Sequence, residues 1–174
     1  MKKTLSHLMT ILAIVLSVYL IRTFVLTPIS IDGDSMEPTL HNRDFLMMER
    51  LSYYIDEPER FDIVVFQATK QKDYIKRVIG LPGDTIEYKD NQLYINGTEK
   101  QEYFLTDPNA FTNDFTVNDI EPGHESIPNG YYLVLGDNRS NSTDSRTIGL
   151  VPKERIMGRA FLRYWPLDNF NIVR

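Results

Sequence analysis

The sequence predicts a mainly β domain, its antiparallel strands curled or sandwiched, hung from one amino-terminal transmembrane helix. Three observations predict it. An almost unbroken apolar run extends from Leu8 to Leu26. From Ile29 onward, short β-branched or aromatic runs alternate with turn residues, the pattern of strands rather than helices. Outside the anchor no stretch keeps helical periodicity for more than about two turns, and there are no internal repeats. With 174 residues, 42% of them hydrophobic, the chain can fill one core but not two large ones.

The anchor comes first. Met1-Lys-Lys3 precedes the apolar run, which only Thr10, Ser17, Tyr19, Arg22 and Thr23 interrupt. As a helix, Leu8 to Leu26 rises roughly 28 Å, close to the hydrocarbon thickness of a bilayer. Arg22 lies one turn from the outer end, where its stem can snorkel to the interface. Lys2 and Lys3 bias the amino terminus to the cytoplasm and place everything after Thr27 outside. The following Thr23-Phe-Val-Leu-Thr-Pro28 is bulky and offers no small-x-small cleavage site, so the segment reads as an uncleaved signal-anchor. The run has no polar face, which argues against a core helix. The expected organisation is a cytoplasmic tip and anchor over 1–27 and an extracytoplasmic β-rich domain over 28–174. The protein is thus expected in the cell membrane as a single-pass chain.

The strands follow in order. Phe45-Leu-Met-Met-Glu-Arg50 and Asp62-Ile-Val-Val-Phe66 are strand candidates, the second β-branched and suited to burial. Tyr74 to Ile79 runs into the turn sequence Leu81-Pro-Gly-Asp84. Thr85 to Lys89 alternates, turns at Asp90-Asn91 and returns over Gln92 to Ile95 as a hairpin ending at Asn96-Gly97. A polar excursion spans about 98–130; within it, Leu105 to Asn129 is rich in Asp, Asn, Thr and Pro, with at most one short strand near Phe115–Val117. Tyr131 to Leu135 is a core strand, and Ile156 to Tyr164 leads into the last. The apolar Phe45, Leu46, Met47 and Met48 are candidates for a groove, for lipid contact or for the core.

Composition removes several chemistries. A net charge of −5 without a basic cluster argues against a nucleic-acid partner. The absence of Cys excludes disulfides, thiolate catalysis and Cys-ligated metal. His7, His41 and His124 show no metal-binding spacing. No metal and no cofactor is expected.

What remains is hydroxyl and amine chemistry. Gly33-Asp-Ser-Met-Glu-Pro-Thr-Leu40 cannot be regular helix, because Gly33 permits positive φ and Pro38 removes a donor and extends Glu37. Ser35 is either part of a polar loop or a presented nucleophile. A Ser nucleophile needs a base. His7 falls across the bilayer, His124 in the excursion, and His41 is poorly placed to reach back, and there is no G-x-S-x-G elbow. A Lys serves only when neutral, and bringing its pKa down from about 10.4 to about 8 costs roughly 3 kcal/mol of folding free energy. Such a Lys belongs inside an apolar strand. Lys76 sits in Tyr74-Ile-Lys-Arg-Val-Ile79, where alternation puts Tyr74, Lys76 and Val78 on one face and Ile75, Arg77 and Ile79 on the other. The competing reading is an edge-strand Lys that blocks aggregation. After the strand ending at Leu135, the loop Gly136 to Arg146 is dense in short polar side chains. Gly136 and Asp137 suit a turn, Asp144 and Arg146 are placed to ion-pair, and Ser142 can orient a neighbouring amine.

Three of these segments together resemble bacterial type I signal peptidases. The runs are Ser35-Met-Glu-Pro-Thr-Leu40, Lys76-Arg-Val-Ile-Gly-Leu-Pro-Gly-Asp84 and Gly136-Asp-Asn-Arg-x-Asn-Ser-x-Asp-Ser-Arg146. They stand in that family's order and spacing behind a leading apolar helix, and the resemblance spans essentially the whole chain. Phe61-Asp-Ile-Val-Val-Phe66 resembles a further box that usually begins with Gly. The short single-span form resembles the Gram-positive branch.

The resemblance implies a signal-peptidase-like coiled antiparallel β-sheet and a membrane-bound serine endopeptidase. By it Ser35 is the nucleophile, Lys76 the general base, Ser142 the residue that orients the Lys76 amine, and Asp144 with Arg146 a brace. Some members carry a Ser hydroxyl as oxyanion donor two residues before the nucleophile; here that position is Gly33, which leaves a second donor unassigned. The implied partners are membrane lipid and the signal peptides of exported preproteins, with small residues at −1 and −3, held extended against a strand edge over two shallow apolar pockets. Two alternatives stand beside this reading. One is a self-cleaving Ser/Lys protein like the DNA-damage repressors, against which the anchor argues. The other is a family-derived, membrane-tethered module serving a dedicated partner, such as pilus assembly.

Overall fold

The computed structural model describes residues 2–51, 53, 56–107 and 110–173, the side chains at 2, 4, 5 and 20–24 excepted. Helix α1 covers Lys2–Phe24 and gives way at once to strand β1, Leu26–Ser30. The strands β2 (Phe45–Glu49), β3 (Ile63–Gln67), β4 (Asp73–Gly80), β5 (Ile86–Lys89), β6 (Gln92–Ile95), β7 (Thr98–Lys100) and β8 (Phe115–Thr116) follow. Then come the one-turn helix α2 (Val117–Ile120), β9 (Tyr131–Leu135), the one-turn helix α3 (Ser145–Ile148), β10 (Val151–Pro152), β11 (Ile156–Trp165) and β12 (Asn171–Ile172). The mainly β expectation and every strand named from the sequence are present.

Among the described residues the strands make two antiparallel sheets. The larger runs β1-β2-β11-β3-β4-β9-β10, with β12 also paired to β11; the smaller runs β7-β6-β5-β8. Register shifts in β11 opposite β2 and opposite β3, and another at Val78–Gly80 in β4, bend the large sheet, as bulges do. Burial follows the pleat: Ile86 and Tyr88 of β5 and Leu93 and Ile95 of β6 point inward while their neighbours face water. They pack with Ile79, Leu133, Leu135 and Ile127 into one core cluster that joins the two sheets. A second cluster, with Met36, Leu40, Leu46 and Ile63, lies under the Ser35 segment.

Several boundaries differ from the sequence reading. The apolar run does not stay helical to Leu26. Leu26 already pairs with Glu49, because the backbone from Leu26 to Ser30 finds partners across Phe45–Glu49, and Pro28 is tolerated on this outer strand. The expected division between residues 27 and 28 therefore falls within β1. Among the described residues no helix is long and apolar enough to cross a membrane; part of the predicted span, Arg22 included, lies outside the described side chains. The described apolar side chains from Leu8 to Tyr19 are all exposed. In the polar excursion β8 is shorter than predicted and α2 follows it, its first turn closed by Thr116 and Asp119; Pro108 and Asn109 lie outside the described residues. Of the four apolar candidates at 45–48, Leu46 and Met48 are buried, Met47 is partly so and Phe45 is exposed.

Candidate active site

Ser35 sits on a turn rather than in a helix, as Gly33 and Pro38 require. Gly33 has φ +105°, and Leu40 N–H closes back on the Met36 carbonyl at 2.9 Å. Met36 and Leu40 are buried as apolar pegs, which turns the half-exposed Ser35 outward. The base candidate comes from the middle of the large sheet. β4 is paired with β3 along Asp73–Arg77 but with β9 only from Arg77 onward, so residues 73–76 keep one free edge. Lys76 lies on that half-free stretch, and its Nζ is 2.7 Å from Ser35 Oγ and 2.8 Å from the Ile75 carbonyl oxygen.

Lys76 is only 3% exposed. That disposes of the edge-strand alternative, which needs the ammonium in water. Burial pulls the pKa down from 10.5 to about 8, against the opposing pull of the Asp144 and Asp137 carboxylates. From about pH 8 upward the neutral amine is therefore the main form, and a neutral amine can accept the proton of the Ser35 hydroxyl.

Asp144 and Arg146 do pair, through Nε and Nη2 at 2.9 and 2.8 Å. Burial alone would raise the Asp144 pKa, but the Arg146 guanidinium and the Gly136 N–H, 3.0 Å away, hold it below the usual carboxylate range. Asp144 also caps α3 by accepting from Arg146 N–H. Ser142 Oγ is buried beside the Asp144 carboxylate, whose pKa its hydroxyl helps to lower; it lines the same cleft as Ser35 and Lys76. Gly33 faces open space, so it supplies a backbone conformation and no second oxyanion donor.

Sequence reasoning passed over a second layer. Arg77, next to Lys76 on the opposite face, is fully buried and holds Asp137 through Nε and Nη2 at 2.9 and 2.6 Å. Thr39 donates to the same carboxylate at 2.5 Å, and the guanidinium lies 4.0 Å over the Phe104 ring. This network ties the segment after Ser35 to the strand of Lys76 and the loop after β9. Removing one partner of such a buried pair costs on the order of 3–5 kcal/mol. The signal was available: Arg77 alternates with Ile75 and Ile79, and a buried guanidinium needs a carboxylate. Which Asp supplies it was not legible.

Ser35 and Lys76 open on a cleft of about 980 Å³. Two unbroken backbone runs line it, Thr27 to Ser35 and Asp73 to Lys76. These are the outer edge of β1 with its continuation into the Ser35 turn, and the unpaired edge of β4. Met48, Val65, Ile75 and Met157 add an apolar lining. No histidine lines it.

The chain matches the family described as signal peptidase, peptidase S26, over residues 4–165. It belongs to that family. A signal peptidase IB of Staphylococcus aureus (strain Mu50 / ATCC 700699) is 38% identical over 178 residues, covering 97% of this chain and 93% of the relative. A signal peptidase I of Bacillus caldolyticus is 44% identical over 156 residues, covering 86% and 85%. The crystal structure of a signal peptidase I from Enterococcus faecalis V583 superposes with a TM-score of 0.55 at 40% identity, covering 60% of this chain and 97% of that one. The chain is accordingly an enzyme of the signal peptidase I type, a serine peptidase with a signal-peptidase-like β fold, and removal of signal peptides is the activity the family supports.

Proposed function

We propose that this chain cleaves signal peptides from exported preproteins at a membrane surface, with Ser35 as nucleophile and neutral Lys76 as general base. The observation that carries the reading is the 2.7 Å approach of a buried lysine amine to a serine hydroxyl at the floor of an open cleft. Lys76 Nζ takes the Ser35 hydroxyl proton as Oγ bonds to the scissile carbonyl carbon, and the carbonyl electron pair moves to its oxygen. Collapse of that intermediate breaks the C–N bond, and the Lys76 ammonium returns its proton to the leaving amine. Lys76 then deprotonates a water that hydrolyses the ester and restores Ser35. Ser142 orients the amine through its buried hydroxyl, and Asp144 with Arg146 braces the loop behind it.

The two backbone edges fit an extended peptide added as a strand. In an extended peptide the side chains at −1 and −3 point to one face, here the apolar lining with Met48, Val65 and Met157, where small residues fit a shallow floor. The tether is α1, whose described apolar side chains are exposed on all sides and have no core to cover them. Exposed Phe45, Trp165, Leu167, Phe170 and Ile172 add an apolar surface suited to lipid. Ser35 lies nine residues past Leu26, within about 30 Å of extended chain, so a substrate cut just outside the bilayer is in reach.

The test is hydrolysis of a lipid-presented peptide with Ala-x-Ala before the cut, by the wild type, Ser35→Ala and Lys76→Ala, between pH 6 and 11. Activity confined to the wild type and rising with pH through about 8 is expected. A folded but inert wild type would favour the dedicated-partner module, and retention of most of the rate by Lys76→Ala would remove the dyad.

A further inference from the structure

Asn138 holds the two peptide groups that flank the Ser35 Cα. Its side-chain Nδ2 donates to the Asp34 carbonyl oxygen at 3.1 Å, and its backbone N–H donates to the Ser35 carbonyl oxygen at 3.1 Å. The Ser140 hydroxyl donates to Asn138 Oδ1 at 3.2 Å, leaving the amide nitrogen for Asp34. Asn141 N–H donates to the Asn138 carbonyl at 3.0 Å and closes the turn. The loop position of Asn138 is itself set by the buried Arg77–Asp137 pair one residue before it.

In a planar trans peptide the C=O and the N–H point in opposite directions, and the Asp34–Ser35 bond is trans. Pinning the Asp34 oxygen against the Asn138 loop therefore aims the Ser35 N–H the other way. That N–H makes no hydrogen bond among the described residues, and Ser35 lines the cleft. Gly33 has no side chain to contribute a second donor. The alignment of one backbone N–H then matters more than it would in a site with two.

We propose that Asn138 is a positioning residue for the oxyanion donor: by clamping the Asp34 and Ser35 carbonyls it holds the Ser35 N–H where the scissile oxygen becomes negative. This rests on the reading of Ser35 as nucleophile. As Oγ bonds to the carbonyl carbon and its proton passes to Lys76, the carbonyl π pair becomes an oxyanion that accepts from the Ser35 N–H. The donor has to be in place before the charge forms, because a group that must reorient then contributes far less.

The test uses the full chain in lipid, with Asn138→Ala and Asn138→Asp. The aspartate keeps the size and the backbone N–H but offers an acceptor where a donor is needed. Both variants are expected to lose roughly 10- to 100-fold in kcat, with KM within about twofold and the pH midpoint unmoved. A substrate-like peptide aldehyde, which forms a tetrahedral adduct with a serine, should weaken by the same factor while the corresponding alcohol binds as before. An unchanged kcat, a loss carried by KM, a shifted midpoint or an unaffected aldehyde overturns the proposal. So does loss of the melting transition in both variants, which would make Asn138 structural; if only Asn138→Ala unfolds, Asn138→Asp decides. Fully active Asn138 variants beside a dead Ser35→Ala overturn this inference alone, whereas an active Ser35→Ala overturns the nucleophile assignment beneath it.

Discussion

Gly136 lies so close to Ser35 that a methyl group on its Cα would overlap the Ser35 carbonyl oxygen and, on the same side, Ser142 Oγ. Gly136 is buried at the end of β9, and its N–H is bonded to Asp144. The lack of a side chain there is what lets the Ser35 segment and the loop carrying Ser142 meet. Gly136→Ala should therefore displace backbone, not merely a flexible side chain. We expect at least about a 100-fold loss of kcat/KM, since displacements near 1 Å cost that much in a positioned site, with a lowered melting temperature. Peptide hydrolysis beside a thermal melt checks it, and near-native activity would mean that the Ser35 segment has slack.

Lys76 is expected to be held at a cost to stability. In the unfolded chain it titrates near 10.5 and in the folded chain near about 8. Below 8 it is charged in both states and the full burial penalty applies. Between 8 and 10.5 the folded chain has lost the proton first, so stability rises with pH; above 10.5 the penalty is gone. Lys76→Met, similar in length and uncharged, should be inactive yet more stable at pH 7, by up to about 3 kcal/mol. That gain should shrink towards zero by pH 10.5. Denaturant unfolding of both chains at the two pH values measures it, and a pH-independent difference would contradict a buried neutral amine.

The Asp144 carboxylate raises the Lys76 pKa against the effect of burial. Asp144→Asn removes that charge, so the Lys76 pKa should fall and the rising limb of the pH–rate profile should move to lower pH. Lost ion pairing to Arg146 should at the same time lower kcat, while the asparagine oxygen still accepts from Arg146 N–H and caps α3. The profile of kcat against pH reads the shift. A midpoint that moves upward would mean that Asp144 does not act on Lys76 through its charge.

Much of the fold was legible because strands announce themselves locally. The β-branched run at Ile63–Phe66, the alternation over Ile86–Ile95 and the apolar run at Tyr131–Leu135 each formed the strand expected, since each buries one or both faces wherever it pairs. The two-residue strand β12 and the three-residue β7 were not legible. They exist only because a neighbour offers backbone partners, as Leu162 and Arg163 do for Ile172 and Asn171. The turn from helix to strand at Leu26 was hidden for a similar reason: an apolar run suits either state, and pairing with Phe45–Glu49 decides.

By itself the sequence determined the chemistry available at the site. A chain with no Cys and with no His in reach left Ser35 and an oddly apolar-flanked Lys76, because residue type and local burial are properties of short segments. Only the tertiary structure decided how those groups are supported. That Arg77 finds Asp137, that Asn138 clamps the carbonyls beside Ser35, and that Gly136 must stay bare all depend on β4 and the loop after β9 meeting the Ser35 turn. Residues 41 and more positions apart are brought within hydrogen-bonding distance by the packing of the whole sheet, and no local pattern encodes that distance.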